Sequence, residues 1–574
     1  VISPPRRDTP SDRPPSRRTF VYNGGFLTDR RIRRILSLAG YDLRLGLPKP
    51  QDLVAVWGKS PTAHRGEAVA ARCGAGLIRV EDAWLRSLYP ARADGSPPLG
   101  LLIDHTGVHF DPSGPSDLET LLATHPFDDT ALLNRARGAI ARMIDAGLTI
   151  YTACPPELPP PAPGYVLVID QTQGDASIIA SGADQNRFRE MLYWAQEDHP
   201  GARVLIKTHP ETAHGHRPGY FGPDDVSDRV SLCGDPISPW ALFEGAVAVY
   251  TVSSQMGFEA IFAGHKPVLF GQPFYAGWGL TDDRFPVQRR QRTLTRAQLF
   301  AGAMLLYPTW YDPYRDRLCR YEDSAETLAA QTRAWREDRF GYVASGMRLW
   351  KRGALNRAFG RYKALTFQDD PQAAQGLAAT RNCPWMVWAS TATDTQDAAL
   401  RVEDGFLRSK GLGAELVPPL SLVVDDTGIY YDPSRPSRLE ALIAARARMR
   451  PDQTERALAL ITALHAKGLS KYNLGTAPPS LGEGHRILVP GQVEDDASIL
   501  RGTRAVRTNA ALLTAARAAH PNAVILYKPH PDVEAGLRPG QIPAHEADQV
   551  LHDVDPAALL NVVQEVWTMT SLLG

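Results

Sequence analysis

Short apolar runs alternate with longer amphipathic stretches along this chain. Val166–Ile169 and Val204–Ile206 are continuous apolar runs, the pattern of strands buried on both faces. Between them, Gln185–Asp198 reads as an amphipathic helix, and Val247–Tyr250 and Pro267–Phe270 are further strand candidates. Strand–helix–strand repetition predicts an α/β protein with parallel, doubly wound sheets. A Pro-rich joint, Pro155–Pro163, divides the pattern. It predicts two Rossmann-like subdomains facing each other across a cleft, with ligands at the C-terminal ends of the strands.

The pattern then occurs twice. V-E-D-A-W-L-R-S at 80–87 returns as V-E-D-G-F-L-R-S at 402–409, and the D-x-T-G-x-x-x-D-P-S stretch at 104–113 returns at 425–434. Q-x-x-x-D-A-S at 171–177 returns at 492–498, K-T-H-P-E at 207–211 as K-P-H-P-D at 528–532, and T-V-S-S at 251–254 as T-M-T-S at 568–571. A near-constant offset of about 320 residues marks a duplicated multi-domain module rather than a solenoid. The joint recurs as Ala477–His485, and Gly574 aligns with Gly257. The second copy is therefore expected to be cut short, without counterparts of Phe258–Asp283 and the helical tail beyond.

Composition narrows the function. With 63 basic and 63 acidic residues among 574, the chain lacks the basic excess of a general nucleic-acid binder, so no nucleic-acid partner is expected. Five scattered cysteines without a C-x-x-C pair argue against structural zinc and disulfides and fit a reducing cytosol. No apolar stretch is long enough for a membrane span. Neither a P-loop nor a G-x-G-x-x-G stands in a suitable context. No D-x-D at a strand end and no Cys/His cluster is seen, so no metal or other cofactor is expected; Asp282-Asp283 reads as a surface loop.

Four constellations could carry chemistry. Asp175 and Asp496 follow an apolar strand, where a carboxylate can act as nucleophile or base; a helix N-cap is the plain alternative. Glu81 and Glu403 close a strand in the other subdomain, so a cleft would join the two carboxylates for nucleophilic and acid/base work. The alternative is a salt bridge with Arg86 or Arg408. Lys207, His209, Lys528 and His530 offer cationic or donor groups to a departing phosphate. Ser253, Ser254, Thr570 and Ser571 should open helices, either as phosphate-binding N-termini or as ordinary caps. Asp104, Asp111, Asp425 and Asp432 recur as well, and D-P-S reads as a turn before a cap.

These motifs, with Y-A-G-W-G at 275–279, resemble the capsular polysaccharide β-Kdo transferases of the KpsC type. The resemblance implies tandem GT-B-like modules, CMP-Kdo as donor, retention of configuration and a cytoplasmic enzyme, peripheral at the inner membrane in one version. It implies a Kdo-primed lysophosphatidylglycerol acceptor, on which the modules build a poly-Kdo linker, and capsule assembly proteins as further partners. By motif match it implies nucleophiles at Asp175 and Asp496, active-site glutamates at Glu81 and Glu403, and CMP-binding histidines at His209 and His530. A CMP-sialate-type transferase and a non-catalytic capsule scaffold are the rivals.

The expected organisation is a disordered leader over 1–18 and a first module over 19–330. That module holds an acceptor-side subdomain (about 19–155), a CMP-sugar subdomain (about 164–300) and a helical tail. A basic aromatic segment over 331–370 precedes the incomplete second module, 371–574. In that segment, Lys351 and Arg352 among nine cations, with interleaved aromatics, suggest contact with an anionic membrane surface; packing between modules is the alternative.

Overall fold

The computed structural model describes residues 16–413 and 415–574. The chain divides between Arg336 and Glu337 into two compact units. The leader read from sequence lies outside the described residues up to position 15. Arg17 and Arg18, assigned to it, instead open the first strand, paired in parallel with Tyr41 and Asp42.

In the first unit the strands are β1 (Arg17–Val21), β2 (Tyr41–Arg44), β3 (Leu53–Trp57), β4 (Gly76–Asp82), β5 (Gly100–Asp104), β6 (Tyr165–Ile169), β7 (Arg203–Lys207), β8 (Val230–Cys233), β9 (Ala246–Thr251), β10 (Val268–Leu269), β11 (Asp282–Asp283), β12 (Thr309–Asp312) and β13 (Arg317–Cys319). They form two sheets, β13-β12-β5-β4-β3-β1-β2 and β11-β10-β9-β6-β7-β8. The second is wholly parallel. Both faces of β6 are buried, which is why it reads as an unbroken apolar run. Val166 and Val168 pack with Phe188 and Met191 of the helix Gln185–Glu197, while Leu167 and Ile169 join the opposite core. Asp282-Asp283 is an edge strand rather than a loop, with Asp283 accepting the amide of Gly277 at 2.8 Å.

The second unit holds β14 (Val343–Ser345), β15 (Thr366–Phe367), β16 (Trp385–Trp388), β17 (Leu400–Asp404), β18 (Leu422–Asp425), β19 (Arg486–Pro490), β20 (Val524–Lys528), β21 (Gln549–Val550) and β22 (Glu565–Val566). Its sheets, β15-β14-β16-β17-β18 and β21-β20-β19-β22, repeat the order and directions of β2-β1-β3-β4-β5 and β8-β7-β6-β9. Residues 331–370 are not a connector. The helix Tyr321–Asp338 occupies their start, and β14, the helix Leu349–Phe359 and β15 build the edge of a sheet. Trp335 and Tyr342 are buried in cores, Arg352 pairs with Asp369 at 2.8 Å, and Lys351 sits 3.2 Å above the Trp388 ring. Both cations proposed for membrane contact are thus engaged within the fold.

Besides having no counterparts of β10–β13 among the described residues, the second copy differs in one helical layer. In unit one the helix Thr130–Ala146 buries Leu132, Ala136, Ala139 and Met143 in the core shared with Arg296–Phe300. The matching helix Pro451–Lys467 buries none of its residues, and Leu458, Leu460 and Ile461 are exposed. Among the described residues no helix is long and apolar enough to cross a membrane.

Candidate functional site

In each unit the order in which strands join the parallel sheet reverses at one place. From β6 the chain runs outward through β7 and β8, then returns on the other side of β6 as β9. The loops after β6 and β9 therefore flank a crevice, the usual ligand position in open α/β sheets. The Q-x-x-x-D-A-S motif leaves β6 and T-V-S-S leaves β9, so both motifs line that crevice.

Asp175 caps the short helix Ala176–Ala180. Its Oδ1 accepts the Ser177 amide at 2.8 Å and the Ser177 hydroxyl at 2.7 Å. The cap reading is therefore correct, yet it engages only Oδ1; among the described residues Oδ2 has no hydrogen-bond donor. Asp496 repeats this, accepting from the Ser498 amide and hydroxyl at 2.9 Å each.

Glu81 and Glu403 end β4 and β17. The salt-bridge alternative is not realised: Arg86 bonds Asp82 at 2.6 Å, and Arg408 bonds Asp404 at 2.7 Å. Glu81 has no ion pair among the described residues. Part of its surface is open, but protein surrounds it at longer range, and that burial pushes its pKa well above the ordinary value; the charges of Asp82 and Asp175 add to the effect. Gly58 makes room for this carboxyl, since a Cβ there would fall 1.7 Å from Oε1. In unit two Ala389 follows Trp388, and Glu403 instead accepts the amide of Asp404 at 3.1 Å. Burial raises Glu403 to about 7, with Asp404 and Asp496 raising it and Lys351 opposing. In both units, then, the charge of the aspartate beyond one sheet adds to the raised pKa of the glutamate on the other.

His209 and His530 cap short helices after β7 and β20. Nδ1 of each accepts a backbone amide at 3.1 Å, from Glu211 and Asp532. Burial lowers both pKa values, that of His530 to about 4. A neutral imidazole whose Nδ1 accepts must carry its proton on Nε2. Each histidine is thus a neutral donor at the cleft, not a fixed cation.

Lys207 is placed differently from the sequence expectation. Its ammonium donates to the carbonyls of Asp235 (2.7 Å) and Cys233 (3.4 Å), closing the end of β8, and its burial lowers its pKa. Lys528 donates to the Pro529 carbonyl at 3.3 Å and lines the cleft of its unit. The guanidinium beside the Asp175 loop belongs to Arg217, which donates to the Gln173 carbonyl at 2.8 Å and depresses the His209 pKa. Arg538 occupies the same place in unit two, 2.7 Å from Asp495 and next to His530. Both arginines stand ten positions beyond the K-x-H-P lysine, a repeat the motif reading passed over.

Ser254 caps the helix Gln255–Phe262, accepting the amide of Met256 at 3.2 Å, whereas the stretch after Thr570 and Ser571 is a turn rather than the expected helix, with Ser571 accepting the amide of Leu573 at 3.3 Å. Ser253 and Thr570 instead receive a glutamine. Gln171 Nε2 donates to Ser253 Oγ at 3.2 Å while its Oε1 accepts the Ser253 amide at 2.8 Å. Gln492 does the same to Thr570, at 2.8 and 2.9 Å. Ser177 Oγ lies 3.1 Å from Ser253 Oγ, and Ser498 Oγ 3.3 Å from Thr570 Oγ1. A hydrogen-bonded chain thus runs from Gln171 to Asp175 and from Gln492 to Asp496. Tyr275 of Y-A-G-W-G is fully buried and donates to the Ser254 carbonyl, supporting the same helix start.

Glu403, Asp496, Lys528, His530, Thr570 and Ser571 all line one cleft of about 2000 Å³ in unit two, together with Arg538, Lys351 and Lys471. Lys471 occupies the place of Ile150: the amides of Arg408 and Ser409 bond its carbonyl as those of Arg86 and Ser87 bond that of Ile150. At this position the second unit carries a cation where the first carries an apolar side chain. Asp104 and Asp425 are buried loop anchors, each accepting three backbone amides, and Asp111 and Asp432 hold the D-P-S turn.

Two Rossmann-like sheets that face each other across a cleft make each unit GT-B-like. The model of the family described as capsule polysaccharide biosynthesis protein matches residues 52–143, 152–309, 387–477 and 476–574, and the chain belongs to that family. The capsule polysaccharide modification protein LipA of Neisseria meningitidis serogroup B is 36% identical over 97% of this chain and 83% of its own. Among solved structures, the β-Kdo 2,4-transferase of Thermosulfurimonas dismutans KpsC is 33% identical, covering 54% of this chain and 97% of that one, with a TM-score of 0.51. The β-Kdo 2,7-transferase of the same KpsC is 26% identical over 55% and 99%, with a TM-score of 0.44.

Proposed function

We propose that the chain is a capsule glycosyltransferase of the KpsC type, each unit transferring Kdo from CMP-Kdo with retention of configuration. The observation that carries this reading is the meeting, in both units, of a glutamate whose pKa is raised by burial with an aspartate whose Oδ2 makes no hydrogen bond among the described residues. Asp175 or Asp496 attacks the anomeric carbon and CMP departs as an anion. The Nε2–H of His209 or His530 and the guanidinium of Arg217 or Arg538 receive the phosphate, whose negative charge suits both donors. Glu81 or Glu403 then takes the proton of an acceptor hydroxyl as that oxygen attacks the sugar ester, and the second inversion restores the configuration. No step calls for a catalytic metal.

The acceptor in this reading is a Kdo-terminated lysophosphatidylglycerol, on which the two units extend a poly-Kdo linker at the cytoplasmic face of the membrane. The cations Lys351 and Lys471 suit an acidic sugar in the second cleft. The test is transfer by the full chain from CMP-Kdo to a synthetic Kdo acceptor, with linkages read by NMR and CMP-sialate as competing donor. Kdo transfer, lost stepwise in Asp175→Asn and Asp496→Asn, is expected. Transfer from CMP-sialate alone, or none from either donor, would overturn the proposal.

A further inference from the structure

The parallel pairing of unit two brings together three side chains that the proposed reaction does not use. His485 directly precedes β19, Glu565 opens β22, and His520 follows the helix Asn509–Ala519. They gather at the N-terminal end of the sheet, opposite the strand ends that carry Asp496 and Thr570. His485 Nε2 lies 2.9 Å from Glu565 Oε1, and His520 Nε2 lies 3.3 Å from Glu565 Oε2. The three ligand atoms fall within 4.8 Å of one another, the one such His/Cys/Asp/Glu group among the described residues.

We propose that His485, His520 and Glu565 form a binding site for a divalent transition-metal ion of the zinc class. Two imidazoles and one carboxylate are a ligand set that zinc accepts, with water completing the sphere. Metal–ligand bonds of about 2.0–2.1 Å in a tetrahedral sphere leave neighbouring donor atoms a little over 3 Å apart; here the two imidazoles meet the two carboxylate oxygens at 2.9 and 3.3 Å, and one donor atom from each residue lies within 4.8 Å of the others, so a small rotation of the side chains would close the set on an ion. The scaffold is already fixed. The His485 carbonyl accepts the Val524 amide at 2.8 Å, Glu565 is in register with Ile487, and the His520 amide bonds the Ala516 carbonyl at 2.9 Å. Trp567 Nε1 donates to Glu565 Oε2 at 3.1 Å, orienting the carboxylate from outside as a supporting partner does.

The other unit shows what the packing alone requires. His199 stands where His520 stands, and each histidine meets an aromatic ring edge-on, Tyr250 at 5.9 Å and Trp567 at 5.7 Å. That contact is common to both folds. Gly164 and Ala248 occupy the places of His485 and Glu565, so the histidine–aromatic contact does not call for the other two ligands. A bound ion would tie β22 to β19 just ahead of the loop that Gln492 grips.

The test uses the full chain, stripped with chelator and titrated with zinc chloride by calorimetry, then with cobalt(II) followed by visible absorption. One equivalent is expected, with His485→Ala and Glu565→Gln each weakening it at least tenfold and removing the cobalt spectrum. Glu565→Gln keeps the shape of the carboxylate, and equal melting of the metal-free wild type and this variant establishes that the fold is intact. Binding undiminished in both variants, or no binding by the wild type, would overturn the proposal.

Discussion

Gln171 holds Ser253 at two points, donating to its hydroxyl and accepting its amide, across the crevice between the loops that follow β6 and β9. Gln492 holds Thr570 the same way, so the grip is a property of the module rather than of one loop. Removing it leaves an amide without its partner, at a cost of about 1–3 kcal/mol where the group stays buried. Gln171→Ala in an Asp496→Asn background should raise the KM for the donor about tenfold, equivalent to ~1.4 kcal/mol, with a smaller change in kcat. Steady-state kinetics checks this; an unchanged KM would mean that the loop holds its shape unaided.

Arg217 and Arg538 should act on the donor. A charge-assisted hydrogen bond contributes about 1.5–3 kcal/mol, so alanine at either position should weaken CMP-sugar binding in its own unit roughly ten- to hundredfold. Lysine should restore part of the loss, because it keeps the charge but not the planar fork. Calorimetric titration with CMP checks it in variants that retain the partner site.

The pH profile of the second unit follows from Glu403. Its burial holds its pKa at about 7, against about 4.3 for a free glutamate. A general base works only when ionised, so kcat/KM should climb as pH rises through about 7 rather than stay level. Lys351→Ala removes a positive charge that favours the ionised form and should move the climb to higher pH. The measurement is kcat/KM against pH in an Asp175→Asn background, and a level profile across neutrality would remove Glu403 from the role.

Chelation should separate chemistry from scaffolding. With phosphate met by imidazole and guanidinium groups, transfer should persist in EDTA without added Mg²⁺ or Mn²⁺. The His485 cluster lies at the far end of its sheet, so its loss should show in the melting curve and not in turnover. A strict requirement for added Mg²⁺ in purified transfer would contradict the roles given to His209 and Arg217.

Much of this architecture is legible in the sequence because the chain states it twice. Duplicated motifs at strand ends pointed to Asp175, Glu81, His209 and their second copies, and the unbroken apolar runs of β6 and β7 marked doubly covered strands. The misreadings have physical causes. Residues 343–367 look basic and aromatic because they form an edge of short strands and a half-exposed helix. The sequence shows Lys207 at a strand end but not that its ammonium closes β8 through main-chain carbonyls. Gln171, the first residue of its motif, and Arg217, outside any motif, both recur, but their roles depend on which loop lies opposite. The His485 cluster is assembled from residues 35 and 45 positions apart in the chain, joined by the pairing of β19 and β22 and by the end of the helix Asn509–Ala519.

The central claim, an aspartate nucleophile in each unit, is tested most directly by trapping the sugar. A Glu81→Gln, Glu403→Gln chain mixed with CMP-Kdo, without acceptor, keeps both aspartates but lacks the base for the second step. Intact-mass and peptide mass spectrometry should then find Kdo on the peptides containing Asp175 and Asp496, with CMP released in equal amount. Each adduct should vanish with Asn at its own position. Kdo attached to any other residue, or full transfer by a chain with Asn at both positions, would contradict the account.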